Sequence, residues 1–360
     1  MIEKISKTKL EDLGYSDFFK LKYESLTSVE YPVARVIAEH KGAYRVRSVN
    51  GEYSAKITGG RMFDALERED YPAVGDWVTI TELEEERAVI HKILPRKTIL
   101  KKKNSKQEVQ IIATNIDVAF VVESLDRDYN LNRFERYFAL ANEGGVKSAI
   151  ILNKVDLISE PELSAIVEQI KNRFKGVDII STSVVAERGL DELMDYIARG
   201  KTYCFLGSSG VGKSSLINKL LKKSEIKTGE ISDSTGRGKH TTTAREMYFL
   251  ENGGIVVDNP GMREVGVADA GGGIENVFDE IKLLSRGCRY ADCTHTHEPG
   301  CAVLGAIKDK NIDEGRYENY IKLRKEDEYY KMTSLEKREK DRKFGKFVKK
   351  ALDQMKDIKP

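Results

Sequence analysis

The chain has 360 residues, of which 40% are hydrophobic and 33% charged, and its formal net charge is +2. This length allows two or three domains with cores of their own, and no apolar run approaches the length needed to span a membrane. The charge is uneven, because 15 Lys/Arg against 9 Asp/Glu lie between Arg316 and Pro360, which predicts a basic patch at the end of a near-neutral body.

Residues 1–32 are interpreted as an N-terminal extension. The first residues lack the apolar segment of a signal peptide, so we expect a cytoplasmic protein. Aromatic and apolar residues at Phe18, Phe19, Leu21 and Tyr23 predict a short helix that docks on another part of the chain.

Residues 33–100 carry five short runs of period-two character separated by turn signals such as Asn50-Gly51. The runs are Val33–Ile37, Tyr44–Val49, Glu52–Ile57, Asp76–Ile80 and Ala88–Ile93. Five strands in some sixty residues predict a small β-barrel of the oligonucleotide-binding (OB) type, with a purely structural barrel as the alternative. The single tryptophan, Trp77, is interpreted as a core residue rather than a base-stacking platform.

A basic stretch joins the barrel to the next domain. It contains Arg96, Lys97, Lys101, Lys102, Lys103 and Lys106. Such a run is either a solvated linker or a track for a phosphate backbone, and the sequence leaves both open.

Residues 101–270 alternate apolar strands with amphipathic helices, which predicts an α/β domain with a mostly parallel sheet. The strands are Val118–Val122, Ser148–Leu152 and Asp178–Ile180, and the helices are Asn132–Asn142, Pro161–Phe174 and Leu190–Ala198.

Asn153-Lys154-Val155-Asp156 directly follows a strand, where ligands of parallel sheets bind. The Asp156 carboxylate can accept two hydrogen bonds from guanine N1–H and the exocyclic amine, a pair that adenine does not offer. Lys154 can lay its stem over the base, and Asn153 can brace the loop. The segment from Ser181 to Ser183 is expected to supply a weaker backbone contact to the guanine carbonyl.

A phosphate loop follows the apolar strand Tyr203–Leu206 and leads into a helical segment, Leu216–Leu221. The loop is Gly207, Ser208, Ser209, Gly210, Val211, Gly212, Lys213, Ser214 and Ser215. Its backbone N–H groups can cradle phosphates, Lys213 can pair with the β- and γ-phosphates, and Ser214 can ligate Mg²⁺. Together with the guanine-reading motif, this predicts a GTP site in which the usual order of motifs is circularly permuted.

Two further motifs complete the expected nucleotide site. The Gly- and Thr-rich segment around Gly236–Thr243 is interpreted as a switch in which Thr242 reaches Mg²⁺, and Asp258 and Gly261 form a D-x-x-G that meets the metal and the γ-phosphate. Met262 replaces the glutamine that usually orients water, so unaided hydrolysis should be slow. His240, Arg237 or a partner then has to assist catalysis, and for His240 a role as a plain surface histidine is the alternative.

Residues 271–360 are expected to form a helical zinc-binding domain with a basic tail. Cys288, Cys293, His295 and Cys301 supply a Cys₃His set suited to one structural zinc ion, with His297 as a spare imidazole. From about Glu314 the chain is helical and basic with interleaved tyrosines, which suits either RNA contact or packing against the zinc module.

Taken together, these motifs resemble the ribosome small-subunit-dependent GTPase A (RsgA) family from about Val33 to Leu323. The carrying segments are N-K-V-D, G-S-S-G-V-G-K-S-S, G-R-G-K-H-T-T-T, D-N-P-G and C-R-Y-A-D-C-T-H-T-H-E-P-G-C-A-V. The resemblance implies a GTPase that binds the small ribosomal subunit late in its maturation, touches rRNA through barrel and zinc domain, and is activated by the subunit. It implies that His240 is the candidate catalytic histidine, and Lys213 is a further candidate catalytic residue. Asn259 departs from the Thr more common in the family.

The expected fold is therefore a multidomain α/β protein, with an OB barrel, a permuted GTPase domain and a zinc-binding helical domain. Expected partners are GTP, GDP, the small subunit and its rRNA, with other assembly factors left open and a monomer expected. The alternative function is an RNA-binding assembly scaffold whose nucleotide site is vestigial or a timer, and a third is a GTPase that acts on a protein partner.

Overall fold

A computed structural model describes residues 8–26, 31–40, 42–57, 68–103, 109–126, 129–222, 245–259, 271–333, 335–340, 342 and 345. The chain divides into two compact units, the first comprising Met1–Gly266 with Gly272–Val277 and the second Val267–Gly271 with Phe278–Pro360. Among the helices of the described ranges, none combines the length and apolarity needed to cross a membrane.

Five strands of the first unit form a closed barrel. They are β1 (Val33–His40), β2 (Ala43–Arg47), β3 (Glu52–Ile57), β4 (Trp77–Leu83) and β5 (Arg87–Ile93). The order is β1-β2-β3-β5-β4, and the pairing of β4 with β1 closes the ring. Alternate residues such as Tyr44 and Val46 point into the core because side chains of a strand alternate between its two faces. The predicted five-stranded barrel is confirmed.

The predicted N-terminal helix is present as α1 (Asp17–Leu26), preceded by a 3₁₀ turn at Leu10–Leu13. Leu13 and Phe19 pack with Leu94 against Trp77, which is fully buried. Tyr15 meets the Trp77 ring edge-on, with centroids 4.8 Å apart. The interpretation of Trp77 as a core residue is confirmed, and the partner on which this helix docks is the barrel.

Two residues of the basic stretch after the barrel, Arg96 and Lys101, are paired with acidic side chains in the part of the chain that the structure describes. Arg96 donates to both carboxylate oxygens of the fully buried Asp76, at 2.8 and 2.7 Å. Lys101 pairs with Glu69 at 3.3 Å and lies in β6 (Ile99–Lys103), which pairs with β7 (Val109–Thr114). Strands β6 and β7 form a hairpin that the sequence does not predict, because the lysines of β6 obscure the alternation of apolar residues.

The remaining strands of the first unit form an α/β sheet in the order β10-β9-β8-β11-β13-β12. They are β8 (Val118–Ser124), β9 (Lys147–Asn153), β10 (Ile179–Ser181), β11 (Thr202–Leu206), β12 (Glu246–Phe249) and β13 (Ile255–Asp258). All neighbours are parallel except β12 and β13. Strand β8 is buried along its whole length, as expected for a sheet covered on both faces. A single register pair, Ala38 with Glu246, joins β12 to the barrel.

The first unit contains helices that cover this sheet, and the second unit, from Phe278 onward, contains further ones. They are α2 (Leu131–Glu143), α3 (Glu160–Arg173), α4 (Leu190–Tyr196), α5 (Lys213–Leu221), α6 (Gly271–Val277), α7 (Asp279–Ser285), α8 (Ala302–Lys308) and α9 (Glu314–Lys331). Sequence sets their starts: Ser159 and Glu162 form a capping box before α3, and Asn130 caps α2. In the second unit, the fully buried Phe278 packs against Tyr320 of α9, with ring centroids 5.4 Å apart.

Candidate functional site

The predicted nucleotide-binding residues converge at the carboxyl edge of the parallel sheet. Asn153 ends β9, Asp258 ends β13, and Gly207 follows β11. Strand β11 lies between β8 and β13, so the phosphate loop emerges in the middle of this edge. Ligands of open parallel sheets bind at this edge, where loops from neighbouring strands can share one ligand.

The backbone of the phosphate loop requires glycine at two tightly packed positions. Gly207 has φ +149°, and an added Cβ would lie 2.3 Å from the Val122 carbonyl oxygen of β8. Gly212 has φ +97°, and its added Cβ would lie 2.3 Å from Asn153 Nδ2. Helix α5 begins at the next residue, so its free N–H groups face the loop, as a phosphate site requires.

Lys213 is folded back onto the loop that carries it. Its ammonium donates to the carbonyl oxygens of Gly207 at 2.8 Å and Ser208 at 2.7 Å. Burial lowers the pKa of Lys213 to about 8, and the nearby carboxylates of Asp258 and Glu123 oppose that change. The pocket thus holds a desolvated cation that phosphate oxygens can stabilise.

Two buried oxygens at the carboxyl end of β13 suit a metal with its water shell. Asp258 Oδ2 and Asn259 Oδ1 have no hydrogen-bond partner within the described parts of the chain. Burial raises the pKa of Asp258, while Lys213 acts in the opposite direction. Carboxylate and hydroxyl oxygens are what Mg²⁺ prefers, and Ser214 supplies a hydroxyl in the first turn of α5. These residues fit a magnesium ion carried by a nucleotide.

The nitrogen end of Asn259 is occupied. Its Nδ2 donates to Cys204 Sγ at 2.8 Å, inside β11. Burial raises the pKa of the Cys204 thiol to about 12, so the sulfur remains a neutral acceptor at physiological pH. The asparagine at this position therefore ties the end of β13 to the strand that precedes the phosphate loop.

The guanine-reading loop is bonded directly to the phosphate loop. Asn153 is 2% exposed, and its Nδ2 donates to the Val211 carbonyl oxygen at 2.8 Å across a separation of 58 residues. Its Oδ1 accepts from Thr182 Oγ1 at 3.1 Å. One side chain therefore connects three loops at the sheet edge, and the swapped motifs meet in space.

Asp156 is exposed and is held from one side by Ser183, whose hydroxyl donates to Oδ1. Ser183 Oγ also accepts from the Ala186 N–H at 3.0 Å. The structure thus brings Ser183 to Asp156, while Ser181 lies inside β10 opposite Leu152. The sequence predicts a backbone contact to guanine from the segment Ser181 to Ser183 and does not distinguish the roles of these residues. Ser183 could have been singled out by its position, because it lies just after β10 and residues that follow a strand lie at the carboxyl edge of the sheet.

Three predicted site residues, His240, Thr242 and Gly261, lie outside the described residues, as do Arg237 and Met262.

The second unit brings the four predicted zinc ligands together. Ligand atoms of Cys288, Cys293, His295 and Cys301 all lie within 4.8 Å of one another. Cys288 Sγ lies 3.9 Å from Cys301 Sγ, and His295 Nδ1 lies 3.6 and 3.5 Å from these sulfurs. Zn–S and Zn–N distances of about 2.3 and 2.0 Å give tetrahedral edges of roughly 3.5–3.8 Å, so the cluster fits zinc. His297 lies outside the cluster and contacts Thr296.

Neighbouring groups fix the shape of this cluster. His295 has a left-handed backbone, φ 63°, which is costly for a residue with a side chain. Its carbonyl oxygen accepts from Tyr317 Oη at 2.7 Å, and Glu298 accepts from the N–H groups of Thr294 and Thr296 on either side of it. Tyr317 therefore packs back on the cysteine-rich module, and Leu323 of the same helix is fully buried.

Comparison with known proteins agrees with these features. A family model described as RsgA GTPase matches residues 93–268, and one described as 50S ribosome-binding GTPase matches residues 202–346. The chain is 40% identical over 346 residues to small ribosomal subunit biogenesis GTPase RsgA 2 of Listeria monocytogenes, covering 95% of this chain and 96% of the relative. It is 39% identical over 317 residues to small ribosomal subunit biogenesis GTPase RsgA 1 of Bacteroides thetaiotaomicron, covering 87% and 88%.

Two crystal structures share the fold. YjeQ from Thermotoga maritima is 27% identical, with a TM-score of 0.60 over 82% of this chain and 97% of that chain. YloQ, described as a circularly permuted GTPase, is 22% identical, with a TM-score of 0.57 over 84% of this chain and 97% of that chain.

Proposed function

Because this chain belongs to the RsgA GTPase family, we propose that it hydrolyses GTP to GDP and phosphate, binds the small ribosomal subunit through rRNA, and acts late in the maturation of that subunit. The observation that carries the nucleotide part is the hydrogen bond from Asn153 Nδ2 to the Val211 carbonyl oxygen. This bond makes one pocket from a base-reading loop and a phosphate loop.

In this proposal, each half of the pocket binds one end of GTP. Asp156 accepts from guanine N1–H and the exocyclic amine, and Lys154 covers a face of the base. The loop from Gly207 to Ser215 wraps the phosphates, and Lys213 exchanges its two carbonyl partners for phosphate oxygens. Because Lys213 is desolvated, its attraction to phosphate is screened less than on an open surface.

Ser214 and Asp258 would hold Mg²⁺, with Thr242 as a further proposed ligand. Mg²⁺ bound with the nucleotide supplies positive charge against the developing charge on the phosphates. Lys213 supplies charge on the same side, and Gly261 is the proposed backbone donor to the γ-phosphate. His240 is the proposed catalytic histidine, and Met262 offers no group to orient the attacking water. Slow unaided turnover and a need for an activating partner follow.

The Cys₃His cluster of the second unit is proposed to hold one structural zinc ion. Zinc would fix a segment that is short of apolar core, so metal binding and local folding should be coupled. Basic residues of this unit lie over aromatic rings, for example Arg289 over Tyr290 at 5.6 Å and the exposed Lys340 over Tyr329 at 5.5 Å. Such pairs suit contact with RNA phosphates and bases. The protein is proposed to act as a monomer in the cytoplasm, where small subunits mature.

The decisive test measures phosphate release from GTP by the purified protein alone, with small subunits, and with large subunits. We expect small subunits to raise the rate by roughly two orders of magnitude or more, and large subunits to leave it unchanged. Equal rates in all three reactions would contradict the proposal. His240→Ala should lose the stimulated rate while keeping its affinity for GDP. If Lys213→Ala abolished turnover but left subunit maturation intact in cells, a scaffold function would be favoured instead.

A further inference from the structure

The ammonium group of Lys154 is held by an acidic residue outside the guanine-reading motif. Lys154 Nζ donates to Asp126 Oδ2 at 3.1 Å, and the two side chains are 28% and 32% exposed. Asp126 follows β8, whereas Lys154 follows β9, so the contact joins two neighbouring loops at the carboxyl edge of the sheet.

Asp126 is itself fixed relative to the loop that it holds. Ser124 Oγ donates to the same carboxylate oxygen at 2.9 Å, and Ser124 is the register partner of Asn153. The Leu125 N–H donates to the Asn153 carbonyl oxygen at 3.0 Å. The acceptor therefore sits at a defined place beside the Asn153–Lys154 peptide.

Both ends of the lysine side chain are thus constrained. Its backbone is left-handed, with φ 60° and ψ 39°, and follows the buried Asn153. Its ammonium is tied to Asp126. Only the four-carbon stem spans the distance between these anchors, and it remains partly open to solvent. A free lysine would lose much rotamer entropy on being ordered against a ligand, and here that loss has already occurred.

We propose that Asp126 is a positioning residue that presets the Lys154 stem as an apolar surface for one face of the purine. This inference rests on the proposed guanine-binding role of the loop from Asn153 to Asp156. A contact with the face of the ring does not involve the groups at the purine edge, so it strengthens binding of guanine and hypoxanthine nucleotides equally. Asp156, in contrast, reads the exocyclic amine and separates the two bases. Asp126 therefore sets affinity, and Asp156 sets selectivity.

The test compares GDP and IDP binding to the full-length protein, by displacement of a fluorescent GDP analogue. Asp126→Ala should weaken both nucleotides by about three- to tenfold, the cost of ordering one flexible side chain, and leave their ratio unchanged. In a Lys154→Met background, Asp126→Ala should cause no further loss, because it acts only through the lysine. Asp178→Ala is the matched control, since Asp178 pairs with Lys147 at 2.9 Å at the amino ends of β9 and β10.

The outcomes separate the two proposals. If the unmodified protein failed to prefer GDP over IDP, or Asp156→Asn kept that preference, the guanine-binding assignment would fall and this inference with it. If those results were as expected but Asp126→Ala bound GDP like the unmodified protein, only the positioning role would be overturned. A further loss from Asp126→Ala in the Lys154→Met background, or a changed GDP to IDP ratio, would overturn it equally.

Discussion

Replacing Asn153 by alanine tests whether the two halves of the pocket depend on each other. The side chain is 2% exposed and makes hydrogen bonds to Val211 and Thr182. Removal leaves a buried carbonyl and a buried hydroxyl without these partners, at a cost of about 1–3 kcal/mol each. Partial relaxation of two loops reduces the sum, so we expect the first unit to lose about 2–4 kcal/mol of stability.

This loss should be visible in two assays. Thermal unfolding of the transition that GDP stabilises should shift down by roughly 5–12 °C for a unit of this size. GDP binding should weaken by about tenfold, or about 1.4 kcal/mol, because the nucleotide must now order both loops. Thr182→Val is the matched control, since it removes one of the two bonds and should cause a clearly smaller loss.

Two results would refute this reasoning. Asn153→Ala could melt within about 1 °C of the unmodified protein and bind GDP within about twofold, which would mean that the bond to Val211 carries no coupling. Alternatively, Thr182→Val could lower the thermal stability and the GDP affinity as much as Asn153→Ala does. The bond between the two motifs would then be incidental, and the whole effect would belong to the loop after β10.

Three further predictions concern other parts of the molecule. Because the pKa of Lys213 is about 8 and bound phosphates raise it, the Kd for GDP should rise by up to about tenfold from about pH 8 to about pH 9, below the titration of guanine N1–H, and Lys213→Met should abolish that rise in calorimetric titrations. Gly207→Ala should prevent nucleotide binding and lower the stability of the first unit, because its Cβ would lie 2.3 Å from the Val122 carbonyl oxygen; normal GDP affinity would contradict this. Chelation of zinc, or Cys301→Ala, should unfold the second unit by circular dichroism while the GDP-stabilised transition persists, and retention of its helices without metal would count against zinc.

The elements of the fold were largely predictable because their signals are local. All five barrel strands and the central strands of the sheet were predicted to within a few residues, since period-two patterns and continuous apolar runs depend only on neighbouring residues. The hairpin of β6 and β7 was not, because Lys101 and its neighbours mask the alternation, and β12 was not, because its four residues carry too short a pattern.

The site was predictable in its motifs but not in its contacts. The residue types of the phosphate loop are predictable because phosphates are bound by backbone N–H groups and a cation. The zinc ligands are predictable because a structural zinc ion takes four Cys or His ligands close in sequence. The partners of Asn153 and Lys154 could not be predicted, because they depend on the register of β8 against β9 and on the position of β11 beside them. Register is a property of the assembled sheet, which no single stretch of sequence specifies.

The permuted order of the motifs is compatible with the stability of the sheet. A parallel sheet is stabilised by strand neighbours and by the helices that cover it, and neither depends on which strand the chain enters first. Strand β11 has β8 on one side and β13 on the other, so Val211 comes within hydrogen-bond distance of Asn153 although the base-reading motif precedes the phosphate loop. What permutation must preserve is the set of residues at the carboxyl edge. A Cβ at Gly212 would lie 2.3 Å from Asn153 Nδ2, so a methyl group at this position would disturb the contact that joins the two motifs.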